Sequence, residues 1–431
     1  MREYELFGDT KIVFETPDDG YSYFFGYYDK PSLSMDGKRL LSHRVRFDGR
    51  MPTEEDIAEV GFFDLESGKF TKVGETGAWN WQQGSHLQWM PPEYNDRIIY
   101  NSRGKDGFVS IVYDVESGIS KTLPRPIYAI HPKGEEALCI EYERLYWCRP
   151  GYNYMGVKNE KWNRPWHEED GIFKMDLRTG KTTKIVGMKE VVSNNHLEEF
   201  DRCDNWLEHL QYSPSGERFM FFHRWRAEGK DMTRLYTAYS ESGGELNGYP
   251  DIRFYSHSYW RDDDTLTIWS RDFSSLDKSI PQRLDRMKKS GMAKRVLRPI
   301  YKKLEPFLPY RVVKELKATG VVYNLHIQNG EYEKIGEGLL DKVALNGHFI
   351  WIDEETMLTD TYADEGGYRR LYLYDTGKGH REIARFASIY DDTGYRADLH
   401  PRKSADGRLV TIDTLHTGSR KQMILEFDYN V

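Results

Sequence analysis

One hairpin is written into this chain seven times, and that repetition limits the fold more than any other feature. Each copy is an apolar stretch, a tight turn carrying Asp, Gly or Ser, and a β-rich run. The copies are SMDGKRLLSHR, turning at Asp36-Gly37; PPEYNDRIIYNSR, turning near Asp96; HPKGEEALCIEY, turning at Gly134; and SPSGERFMFFHRW, turning at Gly216. Three more follow: WRDDDTLTIWSR near Asp263, WIDEETMLTDTY near Glu354, and SADGRLVTIDT at Asp406-Gly407. A second hairpin unit falls between them, in FFDLESGKF (62–70), IVYDVESGIS (111–120), IFKMDLRTGKT (172–182), LYTAYSESG (235–243) and LYLYDTGKG (371–379). Paired hairpins at this spacing predict an all-β chain, a seven-bladed β-propeller forming a single domain over residues 1–431. The competing reading, a pair of β-sandwiches, does not account for seven copies of one unit.

The turn markers are separated by 59, 38, 82, 47, 91 and 53 residues, so the two long gaps each hold a blade plus an insertion. The first insertion, 148–170, is rich in aromatic residues and turn formers and reads as a long loop. The second, 275–318, reads as helical, with Leu284, Met287, Val296, Leu297, Ile300 and Leu304 on one face and Pro299, Pro306 and Pro309 breaking it into short pieces. Residues 278–317 carry 13 Lys+Arg against 3 Asp+Glu, a local charge of +10 in a chain of net charge −8. That segment is either a solvated excursion or a basic contact for a membrane surface, an acidic polymer or a protein. The acidic balance of the rest argues against nucleic acid as a partner. No apolar run reaches the length of a transmembrane helix. The opening MREYELFGDT has no apolar signal core, and three cysteines outside any CxxC pair build neither a disulfide framework nor a zinc finger. A cytoplasmic, reducing setting is the expectation.

In a propeller, equivalent positions of successive blades converge on the central channel. Six or seven residues before the turn marker stand His209, His257, His348 and His400, four of only 13 histidines in the chain. Neutral imidazoles that converge there suit a divalent metal, with Asp398 as an added oxygen ligand; hydrogen bonding between blades is the plainer use of the same residues. A second polar phase holds His43-Arg44 and His223-Arg224, and Thr233-Arg234-Leu235-Tyr236 follows. Imidazole, guanidinium and phenol together suit proton abstraction beside a carboxylate: Arg224 to neutralise the carboxylate, His209 or His223 as base, Tyr236 as acid. Trp81 and Tyr128 are candidates to stack on sugar rings, and Gln83, Arg125 and Arg144 to meet hydroxyls and carboxylates. The chain has no GxGxxG, P-loop, HExxH or GxSxG.

The segments GYYDKPSLSMDGKRLLSHR, AWNWQQGSHLQW, LPRPIYAIHPKGEEAL, HLQYSPSGERFMFFHRW, NGHFIWIDEETMLTDTY and DLHPRKSADGRLVTIDTLHTGSRKQ resemble bacterial propeller proteins related to the oligogalacturonate lyases, an architecture shared with ulvan lyases. The resemblance covers most of the chain outside the basic insertion and is strongest from His209 onward. It implies a cytoplasmic lyase that cleaves an acidic, uronate-containing oligosaccharide by β-elimination with a bound Mn²⁺-type ion. His257 and His400 would match metal histidines and His209 a histidine near the substrate; in such a lyase Arg224 or Arg202 is expected to bind the uronate. The family's Gln-x-x-His-x-His stretch reads Tyr395-Arg396-Ala397-Asp398-Leu399-His400 here, so Tyr395 stands for the glutamine and Asp398 for the first histidine. The alternative is a non-catalytic glycan-binding or scaffold propeller in a polysaccharide-assembly system.

Overall fold

The computed structural model describes residues 3–227, 229–249, 255–271, 320–335, 347–388 and 395–428. Its strands form seven antiparallel sheets. Blade 1 contains Ser22–Phe24, Arg39–Val45, Ala58–Asp64 and Phe70–Thr76. Blade 2 contains Gln88–Trp89, Arg97–Arg103, Phe108–Asp114 and Ser120–Leu123. Blade 3 contains Ala129–Ile130, Glu136–Cys139, Gly171–Asp176 and Thr182–Gly187. The long strands of blade 4 are Asn205–Tyr212, Arg218–Ala227 and Lys230–Tyr239, edged by Asn247–Tyr249. Blade 5 begins with Tyr255–Trp260, blade 6 with Phe349–Trp351 and blade 7 with Arg402–Lys403. The expected seven-bladed propeller is the fold.

The second hairpin unit makes its turns by one local device. In blades 1, 2 and 3 the carboxylates of Asp64, Asp114 and Asp176 each accept from the backbone N–H and the hydroxyl of the residue three positions on: Ser67, Ser117 and Thr179. A short acceptor that folds back on its own backbone stabilises the turn before any tertiary contact forms.

Two N-terminal strands close the ring. Tyr4–Leu6 adds a fifth strand to blade 6, and Lys11–Glu15 pairs with Lys421–Glu426 as the outer strand of blade 7. The edge that each blade would expose is thereby covered by residues from the other end of the chain. Apolar side chains fill the space between blades. In blade 4, Phe221 stacks on Tyr236 with ring centroids 5.2 Å apart, beside fully buried Trp206 and Trp225.

The stretch between the second and third strands of blade 3 holds a short helix, Tyr142–Cys148, and a 3-10 turn, Glu160–Trp162. The basic segment 275–318 lies outside the described residues. Among the described residues no helix is long and apolar enough to cross a membrane.

Candidate metal and substrate centre

The histidines reach the channel through backbone distortions. His209 and His400 have φ of +57° and +45°, a region that non-glycine residues rarely adopt. The ladder slips between Glu208 and Gln211 in blade 4 and between Tyr255 and Ser258 in blade 5. Each slip is a bulge that frees one side chain from the alternating pattern and turns it inward: His209 in the first case, His257 in the second.

The result is a packed imidazole cluster. The ring centroids of His257 and His348 lie 4.0 Å apart, and those of His348 and His400 4.2 Å apart. Blade 1 contributes Tyr27 and Tyr28 to the same space, with Tyr27 5.0 Å from His400 and Tyr28 5.1 Å from His348. Tyr28 Oη donates to the Ser258 carbonyl at 2.7 Å, and Tyr27 Oη lies 2.6 Å from His209 Nε2. Gly26 sets up this pair. Its φ is +136°, and a Cβ there would lie 2.7 Å from the Gln83 backbone. The amides of Phe25 and Gly26 both donate to Asp413, which also pairs with buried Arg402.

Hydrogen bonding fixes the imidazole tautomers. His400 Nδ1 donates to the Gly26 carbonyl at 2.7 Å, which leaves Nε2 as the lone-pair nitrogen. That nitrogen is buried and has no hydrogen-bond partner. His348 Nδ1 lies 3.0 and 3.1 Å from the two oxygens of Asp360, which also accepts from the backbone amides of His348 (2.6 Å) and His400 (3.1 Å). One buried carboxylate therefore holds the His348 imidazole and the backbone amides of both histidines. Burial, reinforced by the neighbouring His348, keeps His257 and His400 well below the usual histidine range, so both are neutral. Asp398 is the anion of the cluster. Burial pushes its carboxyl up, but Arg369 and Arg396 outweigh this and hold it far below the usual range.

His348, Asp398 and His400 offer one ligand atom each within 4.8 Å of one another. An unpartnered Nε2, lone pairs aimed inward and a carboxylate oxygen suit a divalent cation of intermediate hardness. These residues fit such an ion.

Beside the cluster, Glu208 is buried among three cations or potential cations. Arg224 contacts it closely, Arg149 Nε lies 3.2 Å away, and His209 Nδ1 lies 3.2 Å away. Burial raises the Glu208 carboxyl, and the arginines more than reverse this. Arg149 and Arg396 are half-buried at the rim, against Tyr152 and Tyr362 respectively.

By sequence the chain matches no described protein family and no curated protein. By structure it matches an oligogalacturonate lyase in complex with manganese: TM-score 0.61, 15% identity, 99% of this chain and 96% of that one. It also matches an oligogalacturonate lyase from Vibrio parahaemolyticus: TM-score 0.61, 14% identity, 99% and 97% covered. The fold is that of the oligogalacturonate lyases. At this identity the likeness to those lyases is one of architecture, and the side chains must carry any argument about chemistry.

The expected site residues divide into two groups. His209, His257, His348, His400 and Asp398 come together, with Arg224 reaching them through Glu208. Tyr128 Oη accepts from the backbone amide of His209 and from Gln83 Nε2, both at 2.8 Å, so these two border the same space. The remainder are engaged elsewhere. Adjacent residues of a strand face opposite ways, so His223 turns from Arg224 and bonds Asn205 at 2.9 Å. Tyr236 Oη lies on Arg234 and the Val191 carbonyl. Arg144 is fully buried, and its guanidinium donates to the carbonyls of Trp162, Arg164, Pro165 and Asn205. Arg125 pairs with Glu141 over Phe173, Trp81 packs on Tyr395 and Arg420, and Arg202 is an exposed partner of Glu198.

Sequence reasoning passed over Tyr27, Tyr28, Asp360, Glu208 and His86. His86 has a positive φ of +52°, as His209 and His400 do, and packs against Tyr128 with ring centroids 4.3 Å apart. A signal for it existed: HLQW at 86–89 echoes HLQY at 209–212.

A cavity of about 540 Å³ opens farther along the inner strands, past Gln88, Gln211 and Tyr259. Its lysines are already engaged, Lys30 with Asp29 and Lys403 Nζ with the Trp351 and Ile352 carbonyls.

Proposed function

We propose that this propeller is a metal-assisted lyase acting on a uronate-containing oligosaccharide. The observation that carries the reading is the unpartnered Nε2 of His400 beside His348, Asp398 and His257, in a fold shared with oligogalacturonate lyases. These four side chains would hold a divalent ion, Mn²⁺ being the candidate. Bound there, such an ion would polarise a uronate carboxylate and acidify the neighbouring carbon–hydrogen bond. His209 is the candidate base. Burial lowers its pKa despite the adjacent Glu208, so the imidazole is neutral and able to take a proton. In β-elimination the base takes the proton α to the carboxylate, those electrons form the ring double bond, and the bond to the leaving oxygen breaks. Tyr27, hydrogen-bonded to His209, is placed to return a proton to that oxygen. Arg149 and Arg396 line the rim as contacts for carboxylates. The buried, unpaired Cys139 and Cys148 fit a reducing, cytoplasmic setting.

The test is incubation with a panel of oligouronides and Mn²⁺, following the ultraviolet absorbance of the conjugated unsaturated uronate. Product in the wild type and none in a His257→Ala, His400→Ala double variant that has lost bound metal is the expected result. No product from any uronate would refute the lyase reading. The pairing of Asp398 with two arginines favours a second reading, a glycan-binding or scaffold propeller without catalysis. It predicts oligosaccharide binding with no turnover.

A further inference from the structure

Asp398 has two guanidinium partners, and they are not equivalent. Arg369 is sealed in, with a side chain only 2% exposed, and its Nη1 lies 2.6 Å from Asp398 Oδ1. Arg396 is 28% exposed, and its Nε reaches Oδ2 at 3.1 Å. The Arg396 main chain is pinned, because its carbonyl accepts from Gln82 Nε2 at 3.1 Å and from Arg420 Nη2 at 2.8 Å. Among the described residues, the guanidinium itself is held by Asp398 and by the ring of Tyr362, 5.4 Å away. The residue is thus anchored at its backbone, with a head group at the channel rim that can change partner.

The charge balance gives that freedom a consequence. Asp360 and Asp398 supply two negative charges at the cluster, and Arg369 and Arg396 supply two positive ones; Arg402 is paired separately with Asp413. A dication bound by His348, Asp398 and His400 would leave two positive charges uncompensated in a buried site, with Arg396 competing for the same carboxylate oxygen. An arriving carboxylate would offer Arg396 another partner.

We propose that Arg396 is a carboxylate-exchange residue: it holds Asp398 in the absence of a cation, yields Asp398 Oδ2 to the cation, and turns to the carboxylate of the uronate ligand. The proposal rests on the metal and uronate reading above. It predicts that one substitution moves two affinities in opposite directions, which a purely structural residue would not do.

The experiment titrates wild type, Arg396→Gln and Arg396→Lys by calorimetry with Mn²⁺ alone, and then with a galacturonate trimer at saturating Mn²⁺, the trimer arm on a His209→Ala background so that the ligand is not consumed. Arg396→Gln should bind Mn²⁺ about tenfold more tightly, since a unit charge close to the dication has gone. It should bind the trimer about tenfold more weakly, since a charge-assisted contact has gone. Arg396→Lys keeps the charge and should bind Mn²⁺ within about twofold of wild type. Arg396→Met replaces Arg396→Gln if the latter does not fold. An unchanged Mn²⁺ affinity in the neutral variants, or an unchanged trimer affinity, overturns the exchange role while leaving the metal site standing. Failure of the wild type to take up Mn²⁺ overturns the metal reading, and the exchange role with it.

Discussion

Asp360 is the residue whose replacement should do most damage for the smallest change in shape. Its carboxylate receives three N–H groups: the His348 amide, His348 Nδ1 and the His400 amide. Asp360→Asn keeps the size but removes the charge and turns one acceptor into a donor. Charge-assisted hydrogen bonds contribute about 1.5–3 kcal/mol each and neutral ones about 1. Weakening two bonds and leaving one N–H opposed by an amide should cost about 2–4 kcal/mol. The amide oxygen can still accept from His348 Nδ1 in either orientation, but the new NH₂ then opposes the backbone amide of His400 or of His348 and loosens the hold on that histidine. Loss of an outer partner of this kind costs about 10–100-fold in metal affinity. The assays are thermal unfolding without metal and calorimetric titration with Mn²⁺. Asp360→Asn that melts lower and binds Mn²⁺ as tightly as wild type would show that Asp360 supports the fold but does not position the histidines for the metal. A variant with neither change would remove the basis for the orientation argument.

Three further outcomes are expected. Asp413→Ala should lose about 3–5 kcal/mol in chemical denaturation, because it leaves buried Arg402 unpaired and releases the Phe25 and Gly26 amides that set Tyr27 and Tyr28; a loss below about 1 kcal/mol contradicts this. Stability should fall as pH drops from about 6.5 toward 4. Burial lowers His43 to about 4 and His223 to about 3, so the unfolded chain binds protons in this window that the folded chain does not; melting temperature against pH should be shallower for His223→Leu than for wild type. Deleting residues 1–16 should abolish soluble monomer, seen by size-exclusion chromatography, because the strand Lys421–Glu426 then becomes an open edge.

The fold was legible because each blade announces itself locally. The Asp–Ser/Thr turn of Asp64, Asp114 and Asp176 is a short-range device that a reader of sequence can see. The imidazole cluster was legible for the same reason: His209, His257, His348 and His400 stand six or seven residues before their turns. His86 escaped that count because the turn of blade 2, Pro91 to Asp96, is longer, which puts the histidine ten residues before its marker. Tyr27 and Asp360 could not be found by counting. Tyr27 meets His209 across 182 positions of chain, and Asp360 matters through contacts that only the closed ring creates. The errors had a physical cause as well. His223 and Arg224 were grouped by adjacency, which on a strand separates side chains, and Arg144 sits on a short helix that turns it inward onto carbonyl groups.

The strand that closes the ring bears on more than stability. Tyr27 comes from the first blade and His400 from the approach to the last, so the pocket is completed across the seam between them. During synthesis the pocket cannot exist until the final blade has emerged and accepted its borrowed strand. Anything that later bridges Tyr27 and His400 acts as a clasp on that seam, and its binding energy adds directly to the resistance of the whole ring to opening.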